Sequence, residues 1–417
     1  PTTNLDDLPD AAPLWAAIDA RVPSGDGAGR AVAGMFRWFS RHGGAVKKLS
    51  LTIEEPAAAD APAGAPAPPS GWAAAHGVLA VAGGGLRELR LTVLREADAA
   101  ADAADGAAAD AAVEGEGEGG AVDGPAAAPA PRRAGPPAAW LAFVPGLTSL
   151  ELRGARPAEF EDAALPPGLA RLALVGRGAE GGLPRSLAAL SSLTSLSLAD
   201  WEPGAVGGDD PSSLYAPLAS LAGLRALDLS NNALRELPPA VAALSALTSL
   251  VLSENEGLGA TGCALDPLAS LARLERLELR ACGLRRVPPQ ALGLAELRSL
   301  LIGYNDLAPA DADGAVLPPG AYLAKLELLG MSDCAAGDEP LDFVAALAVP
   351  LRAAPALSCL RLARNWALPI EADGVAALLE GKRRFARLEF SQEMVDEGLD
   401  LDALRALHSR VEFVEVD

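Results

Sequence analysis

The stretch LRALDLSNNAL, residues 224–234, carries the frame that organises the chain. Its apolar residues stand at Leu224, Leu227, Leu229 and Leu234, with Asn232 between the last two. Leu227 and Leu229 alternate with more polar neighbours, the period of two expected of a strand that buries one face. Leu224 and Leu234 turn into the coil made by the strand and its return segment, so one copy cannot bury its own apolar face. Counting Leu224 as position 1, outward residues fall at positions 3, 5 and 7, and the asparagine at position 9. A carboxamide offers donors and an acceptor together, which suits a corner where backbone groups lose their strand partners. Replacing Asn232 by Ala would leave such groups unpaired, at about 1–3 kcal/mol.

Working outward, the frame returns in full at Leu274, Leu277, Leu279, Cys282 and Leu284, and at Leu297, Leu300, Ile302, Asn305 and Leu307. Copies starting at Leu247 and Leu357 place Asn255 and Asn365 in the polar position, and a copy from Leu326 through Leu329 and Met331 ends on Cys334. Weaker copies begin at Val46, Leu86, Leu147, Leu169, Leu193, Phe385 and Val411, which makes thirteen. From Leu147 onward the starts lie 22–31 residues apart.

This pattern resembles the leucine-rich repeat family in its intracellular form, and the resemblance covers nearly all of residues 140–417. It implies an α/β solenoid: a curved parallel β-sheet on the concave side, with short helices and turns on the convex side. Asn232, Asn255, Cys282, Asn305, Cys334 and Asn365 would then form a structural ladder, with two thiols as small substitutes. The longer copies near the C-terminus predict convex helices around Phe343 and Gly374.

Four segments follow. Residues 1–45 read as a helical N-terminal cap, with helices over Ala11–Ala20 and Arg30–His42 broken at Pro23–Gly27. Trp15, Ile18, Phe36, Trp38 and Phe39 would cover the first coil. The same segment has a second reading, because Leu8-Pro9 and Arg37-Trp38 resemble a degenerate F-box that would bind a ubiquitin-ligase adaptor. Residues 46–94 hold two weak copies with a low-complexity insert at 56–70. Residues 95–139 form an acidic Ala/Pro/Gly insert containing Glu114, Glu116 and Glu118, and residues 140–417 form the main array. Both inserts are too poor in large apolar residues to offset ordering entropy, so both are expected to be disordered.

Composition narrows the partners. The 417 residues carry a net charge of −21, which repels nucleic acid and anionic membrane. Charged residues or prolines break every apolar run well short of the ~20 residues a membrane span needs. Four cysteines without paired spacing and no N-x-S/T sequon point to a reducing, cytoplasmic location, with cytoskeletal or axonemal association among the options the family implies. The chain starts with Pro rather than Met, so a targeting segment upstream would be unseen.

Chemistry is scarce. His42, His76 and His408 suggest no nucleophile–base pair, and no metal-ligand spacing occurs. The G-x-G-x-x-G matches at Gly176 and Gly115 lack a dinucleotide-binding context. No catalytic residue, metal or cofactor is therefore expected. The outward positions instead collect Arg153, Arg171, Asp228, Arg276, Glu278, Arg280, Arg361 and Arg387, with Trp201, Tyr304 and Arg364 beside them. Arginine and aromatic side chains favour protein recognition. The alternative is that these charges merely pair across neighbouring strands. The expectation is a non-catalytic scaffold presenting its concave face to a protein partner, with the F-box-like substrate receptor as the alternative.

Overall fold

The computed structural model describes residues 17–22, 28–55, 78–81, 83–95, 141, 143–154, 165–176, 179–180, 183–201, 203–204, 211–260, 264–307, 316–334, 347, 349–365, 378–379, 382, 385–390 and 411–415. The chain divides into two compact units, Pro1–Gly176 and Arg177–Asp417. That division falls inside the array placed at 140–417 from sequence.

In the first unit, β1 (Ala17–Val22), β2 (Lys48–Glu55), β3 (Glu88–Arg95), β4 (Ser149–Arg153) and β5 (Arg171–Val175) pair in chain order, all parallel. Helix α1 (Ala28–His42) returns the chain from β1 to β2. The second unit opens with β6 (Ala179–Glu180), β7 (Ser195–Ser197) and β8 (Pro203–Gly204), of which β6 and β8 pair as a small ribbon. From β7 the main sheet runs through β9 (Ala226–Asp228), β10 (Ser249–Val251), β11 (Arg276–Glu278), β12 (Ser299–Leu301), β13 (Leu328–Gly330), β14 (Cys359–Arg361), β15 (Arg387–Phe390) and β16 (Glu412–Glu415). Each strand again pairs in parallel with the next.

The leucine frame sets this register. Leu227, Leu250, Leu277, Leu300, Leu329, Leu360 and Leu388 stand opposite one another as Cα partners, and all are buried. Positions 1 and 6 are buried with them, as at Leu224 and Leu229. Burying one leucine side chain contributes about 1.5–3 kcal/mol, so a row of them running from coil to coil is what holds the stack together. Return segments are mainly short 3-10 turns, such as Pro239–Ala243, Asp266–Ser270 and Pro289–Gly293. Prolines at their starts lack only an amide that would be unpaired there anyway. Most of the long helices expected near Phe343 and Gly374 lies outside the described residues, although Leu347 and 349–351 are helical.

The N-terminal segment departs from expectation. Residues 17–22 are a strand, not the end of a helix over Ala11–Ala20, whose earlier part lies outside the described residues. The reason is period-two burial: Ile18 and Ala20 are buried while Ala17, Asp19 and Arg21 are exposed. Ile18 and Ala20 stand opposite Leu49 and Leu51, so they occupy the frame positions of a fourteenth coil. The second expected helix is present as α1, which buries Met35, Trp38 and Phe39 but leaves Phe36 exposed. Trp38 stacks edge-on against Phe39 and lies over His42. The expected inserts at 56–70 and 95–139 lie outside the described residues, as do Leu8, Pro9 and Trp15.

Strand length differs between the units, and position 8 of the frame accounts for it. Asp200, Asn231, Glu254, Ala281, Tyr304, Asp333 and Arg364 all occupy position 8, and all adopt left-handed backbone with φ between 49° and 64°. Each bends the chain away from the sheet immediately before position 9. In β4 and β5 the same position is taken by Gly154 and Gly176, also at positive φ. In β2 and β3 it holds Ile53 and Val93, whose β-branched side chains exclude that conformation. Those two strands run on to eight residues instead of turning.

Candidate functional site

The polar corner comes first, because it fixes everything the open face presents. Asn255 donates through Nδ2 to Leu229 O at 2.9 Å in the preceding repeat and to Leu252 O at 2.7 Å in its own. Its Oδ1 accepts the amides of Asn232 at 2.9 Å and Leu234 at 3.0 Å. Asn305 repeats the arrangement one coil on from Cys282, donating to Leu279 O and Ile302 O and accepting from Cys282 N and Leu284 N. Asn365 accepts from Cys334 N and donates to Met331 O and Leu362 O. Cys282 and Cys334 donate their thiols to Leu252 O at 3.2 Å and Ile302 O at 3.3 Å, so sulfur fills the donor half of the asparagine role. Burial pushes both thiols up to about 12, partly countered by the nearby backbone hydrogen bonds. They stay protonated, as donors must.

The ladder begins at Asn232. Its Nδ2 donates to Leu198 O and Ser230 O, yet its buried Oδ1 has no hydrogen-bond partner among the described residues. Position 9 of the preceding repeat is Trp201, which is 2% exposed. Trp201 was expected beside the open face; it points inward, because position 9 belongs to the core side of the corner. Its indole N–H is likewise unpartnered among the described residues.

On the open face of the first unit, Arg153 and Arg171 are both exposed. Arg153 Nε donates to Glu151 Oε1 at 2.6 Å, and Arg90 Nε reaches the other oxygen at 2.8 Å. Burial pulls the Glu151 carboxyl upward, but these two guanidinium groups outweigh it and hold the group below its ordinary value. Arg171 lies 3.6 Å from Glu88, which also pairs with Lys48 at 2.9 Å.

The second unit presents the remaining residues. Asp228 accepts from Ser197 Oγ across the strand and from Ser230 N and Oγ along it, so it is tied down rather than reaching outward. Arg276 Nε donates to Glu278 on its own strand at 2.7 Å. Arg280 makes no ion pair with a described residue; its backbone amide bonds Ser253 Oγ. Arg361 and Arg387 share Glu389, at 3.0 Å and 2.8 Å, and Arg387 also reaches Glu412 at 3.2 Å. Tyr304 and Arg364 are exposed, but they stand at the left-handed corners beyond the strands, not on the strand face itself. Cross-strand charge pairing therefore engages Arg171, Arg361 and Arg387, and intra-strand pairs engage Arg153 and Arg276. Sequence reasoning missed the corner row, for which only its scattered Gly, Asn and Asp residues gave a signal. Among the described residues no group of His, Cys, Asp and Glu could hold a metal ion, and no helix is long and apolar enough to cross a membrane.

The family comparison agrees with this geometry. The Leucine Rich Repeat family model matches residues 223–244, the same coil that carries Asn232. No curated protein matches the chain. Among solved structures, the Toll–Spatzle complex of Drosophila aligns with a TM-score of 0.46 at 17% identity, covering 67% of this chain and 38% of that one. The TLR13–ssRNA13 complex aligns with a TM-score of 0.46 at 14% identity, covering 99% of this chain and 52% of that one. The chain thus spans about half or less of the length of either. The frame of the matched coil recurs along the parallel strands, and from Asn232 to Asn365 an asparagine–cysteine ladder closes the corners, so the chain has a leucine-rich repeat fold.

Proposed function

We propose that the chain is a non-catalytic scaffold that binds a protein partner on the open face of its parallel sheet. One observation carries this reading. The inward side chains at positions 1, 4 and 6 of the repeats from Val46 to Phe385 are buried in the core, while positions 3, 5 and 7 place charged groups such as Arg276, Glu278, Arg280, Arg361, Arg387 and Glu389 on strands fixed in register. Side chains on such a rigid support can be recognised without an ordering cost for the backbone. Three free thiols among the described residues, two of them buried hydrogen-bond donors, support a reducing compartment such as the cytoplasm. The experiment is the triple charge reversal Arg276→Glu, Arg280→Glu and Arg361→Glu, checked by thermal unfolding and then used in affinity capture. Loss of the partner held by the parent chain is expected; unchanged capture by the folded variant removes the open-face reading.

The substrate-receptor alternative needs residues 1–45 as a separate adaptor-binding helical unit. Ala17–Val22 is instead paired with β2 inside the sheet, which favours a structural role for this segment. A pull-down of the full chain with purified Skp-type adaptor tests it: adaptor retained by the full chain, and lost on changing Trp38, would restore the ligase reading.

A further inference from the structure

The chain is acidic, yet one part of its sheet is not. At frame positions 2–7 of the four repeats starting at Val46, Leu86, Leu147 and Leu169 stand Lys47, Lys48, Arg87, Arg90, Arg153 and Arg171, against only Glu88 and Glu151. The same positions in the eight repeats from Leu193 to Phe385 hold six cations and five anions. Counted on to the ends of β2–β5, Arg95 joins the cations and Glu54 and Glu55 join the anions, so seven cations face four anions in a chain whose net charge is −21.

Depth sharpens the contrast. The Glu151 and Glu88 side chains are 20% and 35% exposed, whereas Lys48, Arg90, Arg153 and Arg171 are 51–61% exposed. Each carboxylate lies low between two cations: Glu151 between Arg90 and Arg153, and Glu88 between Lys48 and Arg171. What a partner meets is the positive tips. The recessed carboxylates cannot neutralise the cations around them, and an excess of positive charge in one place is costly unless something negative covers it.

Resting on the scaffold reading, we infer that this face of β2–β5 docks an acidic peptide segment of a protein partner. Guanidinium forks match carboxylates in plane and in spacing, and Arg90 and Arg153 already hold one carboxylate between them, each through Nε to one of its oxygens. Lys48 and Arg171 stand at position 3 of strands three spacings apart, about 14 Å, which about four residues of extended chain would span. A nucleic acid strand fits less well: positions 2–7 of these repeats contain no aromatic side chain on which a base could stack.

The test uses the full chain and three labelled probes: a twelve-residue peptide with Glu at every second position, its Gln counterpart, and single-stranded oligouridylate. Binding of the Glu peptide alone is expected, weakening about tenfold between 50 and 300 mM salt as screening grows. The double variant Arg90→Gln, Arg171→Gln should weaken it about tenfold, while Arg285→Gln, Arg286→Gln, exposed in a return segment off the open face, should change it less than twofold. Should the first variant fail thermal unfolding, Lys47→Gln, Lys48→Gln serves, since both lysines are exposed. Equal binding of the Gln peptide, tighter binding of oligouridylate, or indifference to the β2–β5 variants overturns the proposal. So does binding that appears only after the chain's own acids between 98 and 123 are neutralised. In any of these outcomes the scaffold reading survives if the triple reversal in the second unit still abolishes partner capture.

Discussion

The two units solve one problem, how to leave a strand and start a return segment, in different ways. In the second unit the strands stop after three or four residues, a left-handed residue turns the chain, and a buried Asn or Cys satisfies the backbone. The position-8 amide is kept busy as well: Asn231 N, Glu254 N, Ala281 N and Tyr304 N each donate to the position-7 carbonyl of the next repeat. These bonds offset the ~1–2 kcal/mol that a non-glycine residue loses in left-handed backbone. In the first unit no asparagine ladder exists. β4 and β5 turn on glycine, and β2 and β3 do not turn at all until their eighth residue. A corner that accepts almost any side chain therefore requires a polar ladder behind it; without one, the chain uses glycine or keeps going.

Removing the ladder is the strongest way to break that contrast. Asn255→Ala strands the amides of Asn232 and Leu234 and the carbonyl of Leu229, and should cost about 3 kcal/mol or more in urea unfolding. Asn232→Ala loses only donor contacts, so a smaller cost of about 1–2 kcal/mol is expected. Equal losses at the two sites would mean that the ladder does not act through its accepted amides. In the first unit, Gly154→Ala should cost about 2 kcal/mol, because at a φ of +69° a Cβ there would run into Val93 O.

The opposite change sharpens the comparison. Ala281→Gly in the second unit should stabilise the protein by about 0.5–1 kcal/mol, read as a raised melting temperature. If it destabilises, the left-handed corner is not strained and the offset argument fails. The smallest effect concerns pH. The thiols of Cys282 and Cys334 ionise in the unfolded chain near pH 8.5 but are pushed up to about 12 in the fold. The unfolded state then binds fewer protons, so stability should fall as pH rises above about 8.5. Thiol titration of the native protein at pH 8 should leave both unreacted, and Cys282→Ser should reduce the alkaline loss.

Most of the fold was legible because leucine spacing encodes both burial and register. Twelve of the thirteen strands expected from sequence begin two residues after their first frame residue, as Ala226 does after Leu224, and β16 begins one residue after Val411. The strand β1 escaped notice because Ile18 and Ala20 replace the leucines, and a short apolar stretch rich in alanine reads equally well as a helix. Strand length was also legible in principle, since Ile53 and Val93 cannot occupy a left-handed corner. The open face was harder. Spacing places Arg276, Arg361 and Arg387 outward, but it says nothing of which guanidinium lies down on Glu278 or Glu389 and which stays available. Trp201 was misplaced for a simpler reason: eight residues after Leu193, it fills the ladder position, and its size and aromaticity suggested a surface role that its place in the frame rules out.

The ladder also has a direction. Asn255 serves the repeat before it, Asn305 completes the coil of Cys282, and Asn365 completes the coil of Cys334. Each coil is thus finished by residues synthesised after it. During translation, the newest coil is always the one with its corner amides still open to water, and it closes only when roughly one further repeat has left the ribosome. Assembly should advance with synthesis, one coil behind the nascent end.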